Sequence, residues 1–481
     1  MSKPSKRDHP HHPHSHPQTD ILRNFQEELA DGRQWLERAI VLAHAVVAGL
    51  AVVGFTLLSN WAFSLFGQIY AFQPWLLLLW MPALTAGIVW LTRRYVPDAA
   101  GSGIPQVMAA LDPALNNPAL DAPALPPELR GRFASLRLSL GKIVLGAAGS
   151  LAGLSLGREG PSVQVAAGIM QNARRWLRSD SGITVHALLV AGGAAGIAAA
   201  FNAPLAGVVF AFEELSRKQE FEARSSGLVL AAIVLAGLMA VSAFGNITYF
   251  GVIHVSRQGW DMLLPGLLVA IVCGLLGGLF ARLLIASLTN VPDRFNRLRS
   301  RYPVRFAAAL GLALAIIGLV SHGATFGAGS EAVRHMLAGD ANVTPPFYVT
   351  LKFVATWLTT WSGAPGGIFA PSLSIGAGIG HNVSTLMTFF FGSSSQPDLT
   401  PALIAMGMTA FLAAVTQAPL TAFIIVMEMV DGHAMVLSLM AAAMLASLLS
   451  RLITRSLYAA LADHMVRQAV ATSSSPPSAQ N

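Results

Sequence analysis

An all-α, multi-pass membrane protein with an inverted internal repeat and broken, re-entrant helices is the fold class this sequence predicts. Three observations carry that expectation. The chain is 54% hydrophobic and only 11% charged, with a mean hydropathy of +0.57 over 481 residues, and apolar segments approaching the ~20 residues a spanning helix needs recur along it. Other apolar segments are short and interrupted by Gly or Pro, as in half-helices that line a cavity. Two blocks of sequence also recur in the second half at nearly equal offsets.

In chain order, residues 1–38 read as a cytoplasmic tail. His and Pro crowd 8–17, and 21–38 reads as an amphipathic surface helix with Ile21, Leu22, Phe25, Leu29 and Trp35 among charges. No apolar region follows the first basic residues directly, which argues against a secretory signal. The His-rich stretch could chelate a metal, but a disordered tail is the plainer reading, and no metal site is expected. Candidate spans follow at 39–62, 74–92, 184–200, 226–245, 262–288, 306–321, 346–361 and 433–450. The broken segments are 137–156, 161–172, 203–215, 366–380 and 402–430. Residues 39–463 form the membrane domain, in halves of about 39–250 and 251–463, and 464–481 reads as a disordered tail with no further cytosolic domain.

Basic residues alternate from side to side. Arg93/Arg94, Arg174/Arg175/Arg178, Arg217/Lys218/Arg224, Arg294 to Arg305 and Arg451/Arg455 form one set. The opposite connections carry only Arg257 and Arg334. Positive loops stay inside, so both termini are expected in the cytoplasm of a cell whose inner membrane holds the protein. The net charge of +7 is therefore topology, and no nucleic-acid partner is expected. The single cysteine, Cys273, lies in an apolar run and reads as a small core residue.

The repeat aligns the block around Pro204 with that around Pro419, which lays Glu213 over Glu428. A second block lays Gly157–Ile169 over Gly367–Ile379, with Glu159 over Phe369. Two similar halves, each with a helix broken at Pro, place a transporter's site at the repeat interface.

The chemistry concentrates in Gly157, Arg158, Glu159, Gly160 and Pro161. Pro suits a helix start, and the N–H groups and dipole of that start favour an anion. Glu159 could fill such a site itself or swing away to admit a free anion. The alternative is a lumen-facing loop in which Arg158 and Glu159 merely pair. Gly101, Ser102, Gly103, Ile104 and Pro105 form a similar start, with Gly permitting close backbone approach and Ser102 offering a hydroxyl; a plain tight turn is the other reading. Helix starts meeting near the midplane would bind a monovalent anion without holding it too tightly.

Together, GSGIP at 101–105, GREGP at 157–161, GGIFAP at 366–371 and Tyr458 resemble the CLC family of chloride channels and chloride/proton antiporters. The resemblance covers about 39–463, and without paired CBS domains the chain is most similar to the short prokaryotic members. The resemblance implies that Ser102, Tyr458 and the N–H groups of Ile368 and Phe369 hold chloride, and that Glu159 is the external gate. Glu214 matches the antiporters' internal proton-transfer glutamate. Gly101, Gly103, Gly157, Arg158, Gly160, Pro161 and Gly367 support the motifs, and Lys142 and Lys352 match buried basic positions that raise the local potential. The resemblance also implies a homodimer with a pathway in each subunit, with no cofactor beyond the transported chloride and protons. Ser102 fits a chloride-selective pattern where Pro would suggest nitrate, and the intact GREGP argues against the fluoride-exporting branch. Met108 departs from the acidic residue that antiporters tend to carry there.

Like charge and desolvation favour the neutral form of a carboxyl group beside an anion, so protonation accompanies a gate's withdrawal. Linked to an inner proton donor, that swing gives chloride/proton exchange; without one it gives a passive, pH-gated chloride channel. Glu214 decides between these, unless it is only a solvated helix cap ahead of Arg217 and Lys218. A cation-coupled inverted-repeat transporter would need intramembrane acidic or amide clusters, yet Glu159, Glu213, Glu214 and Glu428 are the main acids available. An enzyme is not expected, since His44, His186, His381 and His433 lie near no nucleophile signature.

Overall fold

The computed structural model describes residues 32–111, 131–216, 223–245, 248–253, 262–289, 293–339, 345, 347–391 and 399–474. The His-rich stretch, residues 21–31, Arg217, Lys218 and Arg257 lie outside them. Within the described residues the protein is helical, and seven helices are long and apolar enough to cross a membrane.

The first helix, α1 (Gly32–Phe72), meets no Pro until Pro74, so nothing stops it. It runs unbroken through the expected boundary at 38/39: residues 32–38 are its first turns and not part of a separate surface helix. At 41 residues and 1.5 Å per residue it exceeds the ~30 Å hydrocarbon core. Next come α2 (Leu77–Tyr95), α3 (Ile104–Ala110), α4 (Leu136–Leu151), α5 (Glu159–Asn172) and α6 (Val185–Phe201). The first half closes with α7 (Pro204–Phe210), a π-helical turn over Ala211–Leu215, and α8 (Ala223–Phe244).

The second half holds α9 (Leu263–Leu288), the basic α10 (Arg294–Arg301), α11 (Pro303–Val320), α12 (Ser330–Ala338) and α13 (Tyr348–Ser362). It continues with α14 (Phe369–Phe391), α15 (Leu399–Thr416), α16 (Pro419–Val430), α17 (Val436–Ile453) and α18 (Leu457–Ser474). Helix α18 corrects the expected disorder after 463, because Val466 and Ala469 are buried one turn apart and pull the segment onto the protein. Residues 475–481 lie outside the described residues.

Two expected spans are shorter than a bilayer. The helix within 184–200 has 17 residues and that within 346–361 has 15; both are internal. Residues Ala187–Phe201 of α6 are all buried, as are Ala402–Thr416 of α15. These two are repeat mates. Each ends in a non-Gly residue at positive φ, Asn202 (55°) and Gln417 (60°), before the Pro that opens the next helix. The apolar side chains left outside, among them Leu79, Trp75 and Leu452, suit lipid contact.

The halves meet through their backbones. Gly157 and Gly367 exchange two N–H···O bonds of 2.8 and 2.7 Å in an antiparallel bridge. Glu428 accepts from the N–H groups of Leu205 and Ala206 at 3.2 and 2.7 Å, while Glu213 accepts from Leu420 and Thr421 at 3.0 and 2.6 Å. Each carboxylate thus caps the helix of the opposite half.

Candidate functional site

The loop carrying Ser102 is held from several sides. Gly101 and Gly103 sit at φ 73° and 106°, a left-handed backbone that glycine tolerates best. The Lys142 ammonium is fully buried and donates to the carbonyls of Ala99 and Gly101, both at 2.7 Å. Gln106 bonds the Gly103 N–H at 3.0 Å and the Ala100 carbonyl at 2.6 Å. Gln164 reaches Asp98 and Phe133 carbonyls at 3.2 and 3.0 Å. Gly101 also pairs with the second half, donating to Ala364 and accepting from Gly366. The sequence reading missed both glutamines; buried amides on otherwise apolar faces were the signal that could have found them.

Lys352 repeats the arrangement 210 residues on, donating to Thr325 and Gly327 carbonyls at 3.0 and 2.7 Å. Neither lysine is near a carboxylate partner among the described salt bridges; their charges are met by backbone carbonyls.

Ser102, Ile368, Phe369 and Tyr458 come together. The Ser102 and Tyr458 hydroxyls face one another, and both oxygens are buried without a hydrogen-bond partner among the described residues. The ring of Phe369 lies 6.0 Å from that of Tyr458 and 6.1 Å from that of Phe201. Helix α14 begins at Phe369, and its first turn-closing bond runs from Ser372 N–H to Ile368 O, so the N–H groups ahead of Ser372 have no acceptor inside the helix. A side chain at Gly160 would overlap the Ser102 hydroxyl. That close approach is why glycine stands there. Pro161 and Pro371 are the third residues of their helices and Pro105 the second, rather than the first, but all lie in the turn where a missing N–H costs nothing.

Glu159 folds back over Gly157, where its Oε2 would overlap an added Cβ. The N–H groups of Glu159, Ala370 and Arg158 point at its carboxylate, yet Oε2 itself makes no hydrogen bond among the described residues. The side chain is 1% exposed. It therefore sits between the starts of α5 and α14, where helix N–H groups favour an anion. Arg158 does not pair with it: the guanidinium donates to Asn60 and, at 3.4 Å, to the Tyr249 hydroxyl. Glu214 is 2% exposed and lies in the π-helical turn, which overturns the solvated-cap alternative. Tyr458 feels the charges of both Glu214 and Glu159.

A cavity of about 430 Å³ leads to this cluster, lined by Ser102, Ile368 and Tyr458 at its inner end and by Arg93, Arg299 and His464 further out. The remaining expected candidates stand apart. His44 bonds the Ile40 carbonyl within its helix, His433 pairs with Asp431, and Cys273 is buried against Gly407. Met108 is half-buried on α3.

Two inverted halves, a buried cluster of hydroxyls and helix N–H groups without partners among the described residues, and a carboxylate seated between two helix starts define an ion-handling membrane protein. Residues 83–451 match the family model described as voltage gated chloride channel, and the chain belongs to that family. It is 31% identical to the H(+)/Cl(-) exchange transporter ClcA of Citrobacter koseri over 86% of this chain and 85% of the relative. It is 30% identical to ClcA of Salmonella arizonae over the same shares. Its structure resembles a slow cyanobacterial Cl-/H+ antiporter with a TM-score of 0.74 at 26% identity, covering 90% of this chain and 98% of the other. A CLC-type fluoride/proton antiporter shares the fold with a TM-score of 0.68 at 22% identity, covering 88% and 96%.

Proposed function

We propose that the protein exchanges chloride for protons across the membrane by secondary-active antiport and is not an enzyme. The observation that carries this reading is the burial of two carboxyl groups, Glu159 and Glu214, both within electrostatic reach of Tyr458. In this reading chloride accepts hydrogen bonds from the hydroxyls of Ser102 and Tyr458 and the N–H groups of Ile368 and Phe369. Hydrogen-bond donors without full charges make a site an anion can leave. Lys142 and Lys352 raise the potential there from a distance and stiffen the loops.

Glu159 competes with chloride for the N–H groups between α5 and α14. Ionised, it fills the position; protonated, it loses its claim on those donors and withdraws. Glu214 supplies the proton from the inner side, and its burial supports this role because a solvated cap would not be sheltered from water. A passive channel needs no such inner carboxyl group, and a cation carrier would use acidic clusters that the described residues do not provide.

The same reading gives a homodimer with a pathway in each subunit, in the cell (inner) membrane, with both termini in the cytoplasm. The exposed apolar side chains Leu205, Val234, Leu420 and Leu448 suit a second copy, and the arginines flanking the wide cavity suit the cytoplasmic face.

The test is the reversal potential of the purified protein in liposomes under a chloride gradient, with a pH gradient then added. An exchanger's potential moves with the proton gradient, and Glu214→Gln abolishes proton movement while chloride still flows. A potential fixed at the chloride equilibrium value whatever the pH gradient would make the protein a channel.

A further inference from the structure

Arg93 closes the last turn of α2, and Arg299 stands on α10. Both line the 430 Å³ vestibule, and both line a second cavity of about 260 Å³ beside Val89, Pro303, Ser362 and Gly363. Arg93 and Arg299 therefore stand at the junction of the cavities. His464 approaches from α18 and lies within electrostatic reach of Arg299.

Among the described residues, the carboxylates nearby are already engaged. Asp98 accepts from Arg132 at 2.8 Å and Asp463 from Arg467 at 3.1 Å. Arg299 gives one nitrogen to the Ser287 carbonyl at 2.9 Å, and Arg93 has no ion-pair partner among the described residues. Burial and the charge of Arg93 push Arg299 down to about 10, which leaves it cationic at neutral pH. Two guanidiniums without a carboxylate partner among the described residues, with Ser300 and Thr360 also lining the vestibule, form a receptor for an anion with several oxygens. Guanidinium forks match a phosphate's oxygens bidentately.

We propose that Arg93 and Arg299 form a phosphate-binding site at the junction of the two cavities, taking a phosphate group from a free phosphate or from a phospholipid headgroup. The bound group narrows the vestibule and slows the passage of chloride to Ser102 and Tyr458. The effect on transport rests on the exchange reading above; the binding does not.

The full chain in detergent is titrated calorimetrically with pyrophosphate and, separately, with a short-chain phosphatidylinositol phosphate. Arg93→Gln and Arg299→Gln are each expected to weaken binding about tenfold, the loss of one charge-assisted interaction. Arg94→Gln, adjacent but lining neither cavity, leaves binding unchanged. Binding of pyrophosphate identifies a free phosphate as ligand, and binding of the lipid alone identifies a headgroup. Chloride flux in liposomes is expected to fall when the bound species is present on the vestibule face only. Absence of binding to either probe overturns the proposal, as does an Arg94→Gln loss equal to that of Arg93→Gln. Should Arg299→Gln fail to fold, Arg93→Gln, at an exposed helix end, still decides. Binding that follows the arginines in a protein that moves no chloride would refute the exchange reading and leave the site standing; flux without binding would do the reverse.

Discussion

Replacing Glu213 or Glu428 by Ala removes a cap from the helix of the opposite half. Each carboxylate accepts two backbone N–H bonds, Leu205 and Ala206 for Glu428, Leu420 and Thr421 for Glu213. The first N–H of each pair lies at an exposed position and the second is partly buried. A second copy or lipid covers the exposed one, so no water replaces the acceptor there, and the partly buried N–H of Ala206 or Thr421 is left unmet as well, where an unmet donor costs about 1–3 kcal/mol. Each variant should lose about 2 kcal/mol, in line with strong N-caps, and the two losses should agree within about 0.5 kcal/mol because the caps are repeat mates. The double variant should lose about 4 kcal/mol if the sites act independently. Equilibrium unfolding in detergent by denaturant, followed by tryptophan fluorescence, measures all three. A loss below about 0.5 kcal/mol for either variant would show that these caps do not hold the halves together. A loss several times larger for one than the other would refute their equivalence.

The remaining expectations concern the site and its vestibule. Glu159→Gln fixes the gate in a neutral form, so chloride flux should persist while the proton gradient no longer moves the reversal potential; retained proton coupling would remove Glu159 from the gating role. Gly160→Ala places a Cβ on the Ser102 hydroxyl and should weaken chloride binding about tenfold, the worth of one hydrogen bond to a charged group, read by calorimetric titration with chloride; unchanged affinity would put the ion elsewhere. Burial holds His464 below the ordinary histidine value, against the pull of Asp463 and with the help of Arg299. The folded state then takes up the proton less readily than the unfolded one, so this stability is present above the ordinary histidine pKa and is lost as pH falls below it. Thermal unfolding at pH 7.5 and at pH 5 should therefore differ less for His464→Gln than for the unmodified protein.

The anion cluster was legible because its parts are local words: Gly-Ser-Gly, Gly-Arg-Glu-Gly-Pro and Gly-Gly-Ile-Phe-Ala-Pro each fix a loop and a helix start within a few residues. The repeat was legible for the same reason. What escaped is set by contacts between distant segments. The alignment laid Glu213 over Glu428 without revealing that each reaches across to the other's half, since sequence offset says nothing about which helix end lies nearby. Burial of Glu214 escaped because Arg217 and Lys218 beside it suggest solvent, whereas the π-helical turn directs the side chain inward. The part of α18 beyond residue 463 looked like a tail because a Ser/Pro-rich run follows Ala471 and few residues there, among them Val466 and Ala469, pack inward. Charges at Arg33, Glu37 and Arg38 suggested a surface helix, yet with no Pro or cap before Gln73 they are simply the wet end of α1.

The repeat is unequal in an informative way. Structure-bearing residues are duplicated: Lys142 and Lys352 clamp equivalent carbonyls, Gly101 and Gly103 share positive φ with Gly327 and Gly329, and Gly157 pairs with Gly367. Chemistry-bearing residues are not. Ala328 stands where the glycine pattern would place a mate for Ser102, Met429 lies opposite Glu214, and Phe369 lies opposite Glu159. Electrostatics explains the last of these. A carboxylate at 369 would stand across the Gly157–Gly367 bridge from Glu159, and two like charges sharing one site oppose each other's ionisation. One of them would stay protonated while the other ionised, and in the exchange reading proposed above the site could no longer alternate between a bound glutamate and a bound anion. An aromatic ring removes that conflict. It fills the space, stacks on Phe201 and meets Tyr458, while its backbone N–H remains free for an anion. The two-fold scaffold thus brings two helix starts to one place, and the loss of chemical symmetry leaves a single carboxylate there.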